Sequence, residues 1–146
     1  MKYSINWREE PWLLYVKITG AAALDDYTAL VNEQMRYLNG ANGRLYWILD
    51  VRETGVERGQ PLNPAVMAQL MTQPSVTHAN GGQFALVCES ALMRFLVSMI
   101  SQSPGNQRRE GVPLRIFNAV EEAESFCREV GSIDHGRASA CVLAPE

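Results

Sequence analysis

The residues of this chain follow two hydrophobic patterns, the period of two that is typical of strands and the helical period of about 3.6. Tyr3, Ile5 and Trp7 alternate with polar residues, and a second β-rich run follows at 12–19 after a polar turn. Two such runs joined by a short turn are typical of a β-hairpin. We therefore expect a hairpin at the start of the fold.

The most informative run is the uninterrupted apolar segment 45–49, Leu-Tyr-Trp-Ile-Leu, which Asp50 closes. A strand without polar positions is covered on both faces, as in the middle of an α/β sheet. Apolar runs at 84–88 and 114–117 predict two further strands. Because sheets of this class usually carry their sites at the carboxyl ends of the strands, Asp50 is a candidate site residue.

Helical spacing of apolar residues predicts four helices between and after these strands. They lie at about 24–38, 64–73, 91–101 and 119–130. Residues 131–146 keep neither period, and we expect them to form a loose tail. The order ββαβαβαβα predicts a single α/β domain at 1–130, with a mixed five-stranded sheet and about four helices, and a C-terminal tail at 131–146.

The third predicted helix, at 91–101, is apolar on almost all sides and leaves only a narrow polar strip that includes Arg94. A surface helix needs one apolar stripe, so this excess predicts a second partner. A homodimer contact, a binding groove, a lipid-lined pocket and a helix covered by loops of its own domain all remain open. The candidate binding residues on this helix are Met93, Arg94, Leu96 and Ile100.

Asp50 and Arg52 are two residues apart, so their side chains point to the same side if the strand continues. They are candidates for a polar anchor that holds a ligand or a partner. Alternatively, Asp50 caps the loop backbone and pairs with a neighbouring arginine. An enzyme that uses Asp50 with Arg52 or Arg94 ranks last, because a lone carboxylate has no evident cause for a shifted pKa.

Composition and charge exclude several functional classes. The chain has 146 residues, of which 47% are hydrophobic and 20% are charged, as in a soluble globular domain. Its formal charge of −3 disfavours a dedicated nucleic-acid binder. Three cysteines without C-x-x-C spacing predict reduced thiols in a cytoplasmic protein. No apolar stretch approaches the roughly 20 residues of a membrane span.

The sequence contains no pattern that predicts a metal, a cofactor or a catalytic set. His78 and His135 lie far apart, without cysteine or acidic residues at the spacing of metal ligands. No G-x-S-x-G nucleophile motif occurs, and no serine, histidine and acid set is evident. We therefore expect a protein that is not an enzyme and that holds neither a metal nor a cofactor.

Several local patterns together resemble a known family. They are the hairpin, the first helix led by Gly20, the apolar strand that ends in Asp50, the helix that bears Arg94, and Arg115-Ile116-Phe117 followed by Glu121-Glu122-Ala123. This combination resembles the anti-sigma-factor antagonist fold, called STAS, and in particular the SpoIIAA-like group of small bacterial proteins. The resemblance covers roughly residues 3–130 and implies a STAS-like α/β fold.

The resemblance does not extend to the phosphorylation switch of the antagonist family. Phosphorylatable members carry a serine in an Asp-Ser-x-Gly-like turn, at the start of the helix after the central strand. The corresponding segment here, 59–64, reads Gly-Gln-Pro-Leu-Asn-Pro and has no hydroxyl side chain. Thr54 is the only hydroxyl residue between Asp50 and Pro64, and it lies too early to match.

The preferred hypothesis is a non-enzymatic, cytoplasmic STAS-like module that acts in regulation or protein interaction, as a homodimer or with a protein partner. The alternative is a domain that binds a small apolar ligand or a lipid, with the second and third helices closing a pocket against the sheet. Both hypotheses assign a binding role to the third helix, and neither includes nucleic acid or a membrane span.

Overall fold

The computed structural model describes residues 2–21, 23–71, 73–104 and 114–143, without the side chains of residues 76 and 132–143. Within these ranges it has five strands, four longer helices and one single-turn helix, so the predicted α/β architecture is confirmed. The elements are β1 (Lys2–Glu9), β2 (Leu13–Gly20), α1 (Leu24–Gly40), β3 (Leu45–Thr54), α2 (Pro64–Leu70), α3 (Pro74–Thr77), β4 (Gly81–Val87), α4 (Ala91–Ser101), β5 (Leu114–Phe117) and α5 (Val120–Leu143).

The five strands form one sheet in chain order, β1-β2-β3-β4-β5. β1 is antiparallel to β2, as expected for a hairpin, and the other three pairs are parallel. β3 is the central strand, since it pairs with β2 through Leu49 opposite Val16 and with β4 through Leu49 opposite Leu86. The apolar segment at 45–49 therefore lies in the middle of the sheet, as predicted.

The two faces of the sheet are covered by different helices. Trp47 and Phe84 stack with their ring centroids 6.2 Å apart on the face that α1 covers through Leu30 and Leu38. The helices α2 and α4 lie on this same face. Tyr46, Ile48 and Asp50 point to the opposite face, as the alternation of a strand requires. That second face packs against α5 through Val120, Ala123 and Cys127.

β3 is longer than its apolar core. It continues to Thr54 because Glu53 and Thr54 still pair with Thr19 and Gly20 of β2. The segment between α2 and β4 contains structure as well, since Pro74–Thr77 form one helical turn before β4 begins at Gly81. Asn80 Nδ2 donates to the carbonyl oxygen of Leu38 at 2.9 Å and ties this segment to the end of α1.

α5 does not end at Val130 as predicted but continues to Leu143. The glycine that follows Val130 lies within the helix and leaves room for a neighbouring side chain. A Cβ atom at Gly131 would overlap with the Trp12 ring, which in turn packs edge-on against Tyr46. The prediction of a loose segment is therefore wrong for 131–143, whereas the domain boundary at residue 130 stays a prediction.

We expect the substitution Gly131→Ala to lower the free energy of unfolding by about 1–3 kcal/mol, because the new methyl group would displace the Trp12 ring. Gly40→Ala is the matched control. It lies at the end of α1 with nothing within 4 Å of the new Cβ, and should be neutral or stabilising by up to about 1 kcal/mol. Urea denaturation measures both. Equal stability of the two variants would contradict the proposed contact.

Candidate functional site

A partly enclosed cavity of about 170 Å³ lies between the sheet and the helices α1, α2 and α4. Its walls come mostly from apolar side chains of β2, β3, β4, β5, α1, α2 and α4 and of the segment between β3 and α2. The lining residues are Ile18, Gly20, Tyr27, Leu30, Gln34, Leu49, Val51, Thr54, Val56, Leu62, Val66, Leu70, Gln73, Phe84, Leu86, Met93, Leu96, Val97, Ile100 and Leu114.

The wall formed by α4 is fixed at the start of that helix. Ser90 is its N-cap and accepts a hydrogen bond from the backbone nitrogen of Met93 at 3.0 Å. The carboxylate of Glu57 accepts from the backbone nitrogen of Ser90 at 2.8 Å and from the Ser90 hydroxyl at 2.9 Å. It also accepts from the backbone nitrogen of Glu89. Glu57 therefore ties the loop that carries Val56, another wall residue, to α4.

Four polar side chains line the cavity, and they differ in whether their hydrogen bonds are made. The hydroxyl of Thr54 donates to the carbonyl of Val51 at 2.7 Å, and Nε2 of Gln73 donates to the carbonyl of Leu70 at 3.3 Å. Tyr27 is only 8% exposed, yet its buried hydroxyl has no hydrogen-bond partner among the described residues. The fourth polar side chain, Gln34, is buried as well.

A buried hydroxyl without a hydrogen-bond partner lowers the stability of the fold. Leaving a buried polar group without a partner costs roughly 1–3 kcal/mol, so most buried tyrosines find one. Burial raises the pKa of Tyr27 above its ordinary value, which keeps the hydroxyl protonated at neutral pH. The Tyr27 hydroxyl is therefore a neutral donor that is buried beside the cavity without a partner among the described residues.

α4 is apolar on its outer side too. Leu92, Phe95 and Met99 lie on one stripe of the helix and are 51%, 61% and 42% exposed. The excess of apolar residues predicted for this helix is thus divided between the cavity wall and an exposed stripe. Arg94 faces neither, because its guanidinium donates to the side-chain oxygen of Asn118 after β5.

On the opposite face, Asp50 forms a compact polar cluster with Tyr15 and Arg52. Asp50 is 3% exposed and accepts from the Tyr15 hydroxyl at 2.7 Å. The Arg52 guanidinium binds both carboxylate oxygens, with Nε and Nη2 each at 2.9 Å, and the backbone nitrogen of Arg52 donates at 3.2 Å. The carboxylate is therefore a paired and fully hydrogen-bonded group.

The pKa values in this cluster follow from those contacts. Burial acts to raise the pKa of Asp50, but the hydrogen bonds from Arg52 and Tyr15 outweigh it and hold the pKa below its ordinary value. Burial, followed by the hydrogen bond to Asp50, raises the pKa of Tyr15 to about 12. At neutral pH Asp50 is thus a carboxylate and Tyr15 a neutral donor.

The charges around the cluster alternate in sign. The Arg8 guanidinium lies over the Tyr15 ring, 4.8 Å from its centroid. Nη1 of Arg52 also lies 4.0 Å from a carboxylate oxygen of Glu89. With Asp50 paired to Arg52, these neighbours balance one another, and the cluster has the character of a structural ion pair.

The structure separates the predicted site residues into three places. Met93, Leu96 and Ile100 line the cavity, Asp50 and Arg52 form the cluster on the other face, and Arg94 joins Asn118. For Asp50, the predicted pairing with a neighbouring arginine is the arrangement that the structure has.

Sequence reasoning missed the polar residues of the cavity wall. Neither Tyr27 nor Gln34 of α1 is among the candidate site residues that the sequence suggests. Both share a helix face with Leu30 and Leu38, and all four are buried. Gln34 keeps the spacing of the apolar residues of α1, so the sequence places a polar side chain on the buried face of the helix. That is the signal that could have identified it, because buried polar side chains require a partner.

The described ranges contain neither a metal site nor a membrane-spanning helix. There, no three histidine, cysteine or acidic side chains come together in a way that could hold a metal ion. None of the helices in the described part of the chain has the length and apolar character of a membrane span.

We expect Asp50→Asn to lower the free energy of unfolding at pH 7 by on the order of 2 kcal/mol, because an amide cannot satisfy the donors of Arg52 and Tyr15. Folding lowers the pKa of Asp50, so its carboxylate makes its full contribution to the free energy of unfolding above the unfolded pKa of about 3.9. This contribution is lost as the pH falls through the folded pKa, so the two proteins should converge in acid.

Glu53→Gln is the control for this experiment. It removes an exposed ion pair with Lys17, whose nitrogen and oxygen are 3.4 Å apart, and should cost less than about 1 kcal/mol. Urea unfolding of the wild type and both variants between pH 3 and pH 7 measures these differences. A difference between the wild type and Asp50→Asn that grows on acidification would contradict the assignment.

The geometry above can be compared with known proteins. Neither a model of a known protein family nor a curated protein matches the sequence. Among solved structures, the chain is similar to an uncharacterized protein of the DUF3478 family with a SpoIIAA-like fold, from Shewanella loihica PV-4. The match has a TM-score of 0.59 and 15% sequence identity, and it covers 86% of this chain and 91% of the other. The chain has a SpoIIAA-like α/β fold, as the resemblance implied.

Proposed function

We propose that this chain is a non-enzymatic binding module that takes a small apolar ligand in the cavity beneath α4. The observation that carries this proposal is the cavity itself, whose described lining is almost entirely apolar and includes one unpartnered buried hydroxyl. Ligand sites are typically concave and apolar with a few placed polar groups. The cavity lies on the face where the third predicted helix was expected to close a pocket against the sheet.

The remaining reactive side chains support a role other than catalysis. A general base needs a pKa near neutrality, whereas the contacts of Asp50 lower its pKa. A cysteine nucleophile acts as a thiolate, whereas burial raises the pKa of Cys88 to about 11 and that of Cys127 to about 12. These two free thiols also fit a reducing cytoplasm.

Toluene serves as an apolar probe of the proposed cavity site. NMR and the thermal unfolding temperature both report whether it binds. We expect toluene to shift the amide signals around the cavity and to raise the unfolding temperature, because a ligand bound only by the folded state stabilises it. In Val97→Phe the new ring fills the cavity, so the variant should fold and should not respond to toluene.

Leu92→Phe is the matched control, since it adds an aromatic ring to the outer side of the same helix. It should keep the wild-type response to toluene. If the wild type does not respond to toluene, the cavity is excluded as the ligand site. The same conclusion follows if Val97→Phe responds as strongly as the wild type.

A second function, self-association, is favoured by the exposed stripe of Leu92, Phe95 and Met99. We propose that the stripe joins two copies of the chain, which is the homodimer expected from the sequence. The stripe is nearly symmetric about Phe95, so a twofold axis there brings Leu92 of one copy close to Met99 of the other. Arg94 is the only charged residue within α4 and is bound to Asn118, so little charge repulsion opposes the pairing.

We expect Phe95→Asp to weaken the dimer at least tenfold, because a central aromatic residue usually dominates such a contact. Light scattering coupled to size exclusion over a range of concentrations measures the effect. Met71→Asp is the control, since it replaces an exposed apolar residue outside the stripe. A wild-type protein that stays monomeric at high micromolar concentration would refute self-association.

A further inference from the structure

A second concave surface, the arginine groove, lies at the end of the sheet where the parallel strands β2 and β3 begin. It is formed by the end of α1, by the segment from Gly40 to Leu45, and by the β1–β2 hairpin at Trp7 and Trp12. Its volume is about 440 Å³. It shares no residue with the cavity beneath α4 or with the exposed stripe of that helix, so it is a separate candidate site.

Aromatic side chains form the walls of the arginine groove, and their rings are held in place by other rings. Trp7 packs edge-on against Tyr37 with the ring centroids 5.6 Å apart, and Tyr37 packs edge-on against Trp47 at 6.2 Å. On the other face of the sheet, Trp12 packs edge-on against Tyr46 at 5.6 Å. Both tryptophans of the wall remain partly exposed, so they offer fixed apolar surface to a ligand.

The charge of the lining is opposite in sign to that of the chain. The lining contains Arg36 and Arg44 but no lysine, histidine, aspartate or glutamate, whereas the whole chain has a formal charge of −3. The carboxyl end of α1 adds roughly half a negative elementary charge, which is less than the charge of the two guanidinium groups. Glu9, in the neighbouring hairpin, is bound by Arg128. The lining therefore favours an anion.

Arginine and tryptophan side chains in one groove suit a ligand that is both aromatic and negatively charged. A guanidinium group binds a carboxylate or a phosphate through parallel hydrogen bonds, and an indole ring packs well against another aromatic ring. We infer that the arginine groove binds a small aromatic anion, whose ring packs against Trp7 and Trp12 and whose acidic group is bound by the arginines. This site is independent of the apolar cavity and adds a second class of ligand.

Four small probes test the inference, and NMR titration at low salt gives their dissociation constants. Benzoate and phenyl phosphate carry both the ring and an anion, benzamide keeps the ring without the charge, and cyclohexanecarboxylate keeps the charge without the aromatic ring. We expect the tighter of the two aromatic anions to bind about fivefold more tightly than benzamide, as a partly exposed ionic contact allows. It should also bind more tightly than cyclohexanecarboxylate, and the indole signals of Trp7 and Trp12 should shift.

Gly43 allows the charge of the groove to be changed without disturbing the fold, because it lies in the lining and a Cβ there would have no atom within 4 Å. Gly43→Asp should weaken the binding of the aromatic anion about threefold and Gly43→Lys should strengthen it, while benzamide binding stays unchanged. Arg36→Gln should weaken the anion in the same way. Arg58→Gln is the matched control, since it removes an exposed arginine outside the groove.

Several outcomes would overturn the inference. Benzamide that binds as tightly as both aromatic anions, or equal effects of Gly43→Asp and Gly43→Lys, would show that charge does not determine binding. Cyclohexanecarboxylate that binds as tightly as the aromatic anions would remove the role of the aromatic walls. Signals that shift around the cavity beneath α4, and not at Trp7 and Trp12, would refute the arginine groove and leave the proposed apolar site in place.

Discussion

The order of the strands is the constraint on which the rest of this fold depends. Four parallel strands follow one another in chain order, and crossovers of one hand then place every connecting helix on the same face of the sheet. That face carries α1, α2 and α4, and the other face is left to α5. Because α2 has only seven residues, it fills little of the space between its two longer neighbours. The cavity lies where these three helices meet the sheet.

The two faces handle their buried polar groups in opposite ways. On the α5 face, Asp50 accepts four hydrogen bonds from Tyr15 and Arg52, so the charge that is buried there is fully compensated. On the cavity face, the Tyr27 hydroxyl is buried without a partner among the described residues. The first arrangement stabilises the sheet and leaves no group free to react. The second costs stability, because the buried hydroxyl loses its hydrogen bonds to water and gains none from the described residues.

The sequence predicted the parts of the fold that depend on local periodicity. The apolar run of β3, the hairpin and the four main helices follow from spacing, as does the shared side of Asp50 and Arg52. The close approach of Gly131 to Trp12 could not be predicted, because the two residues are far apart in the chain. The cavity could not be predicted, because its volume arises from how three helices pack on the sheet. The sequence alone does not distinguish Tyr27 from an ordinary core residue, because its place beside the cavity also depends on that packing.

α4 belongs to both sites of the proposed function, so the ligand cavity and the contact between two copies share one helix. Its inner residues Met93, Val97 and Ile100 line the cavity, and its outer stripe is exposed on the other side of the helix. Glu57 and Ser90 hold the start of the helix, and the buried hydroxyl of Ser103, just after its end, donates to the carbonyl oxygen of Met71. A ligand changes self-association only if its affinity differs between the single chain and the dimer, and dimerisation must then change ligand affinity by the same factor. Placing both sites on one short helix gives this chain a direct physical route to such coupling, without any long-range path through the sheet.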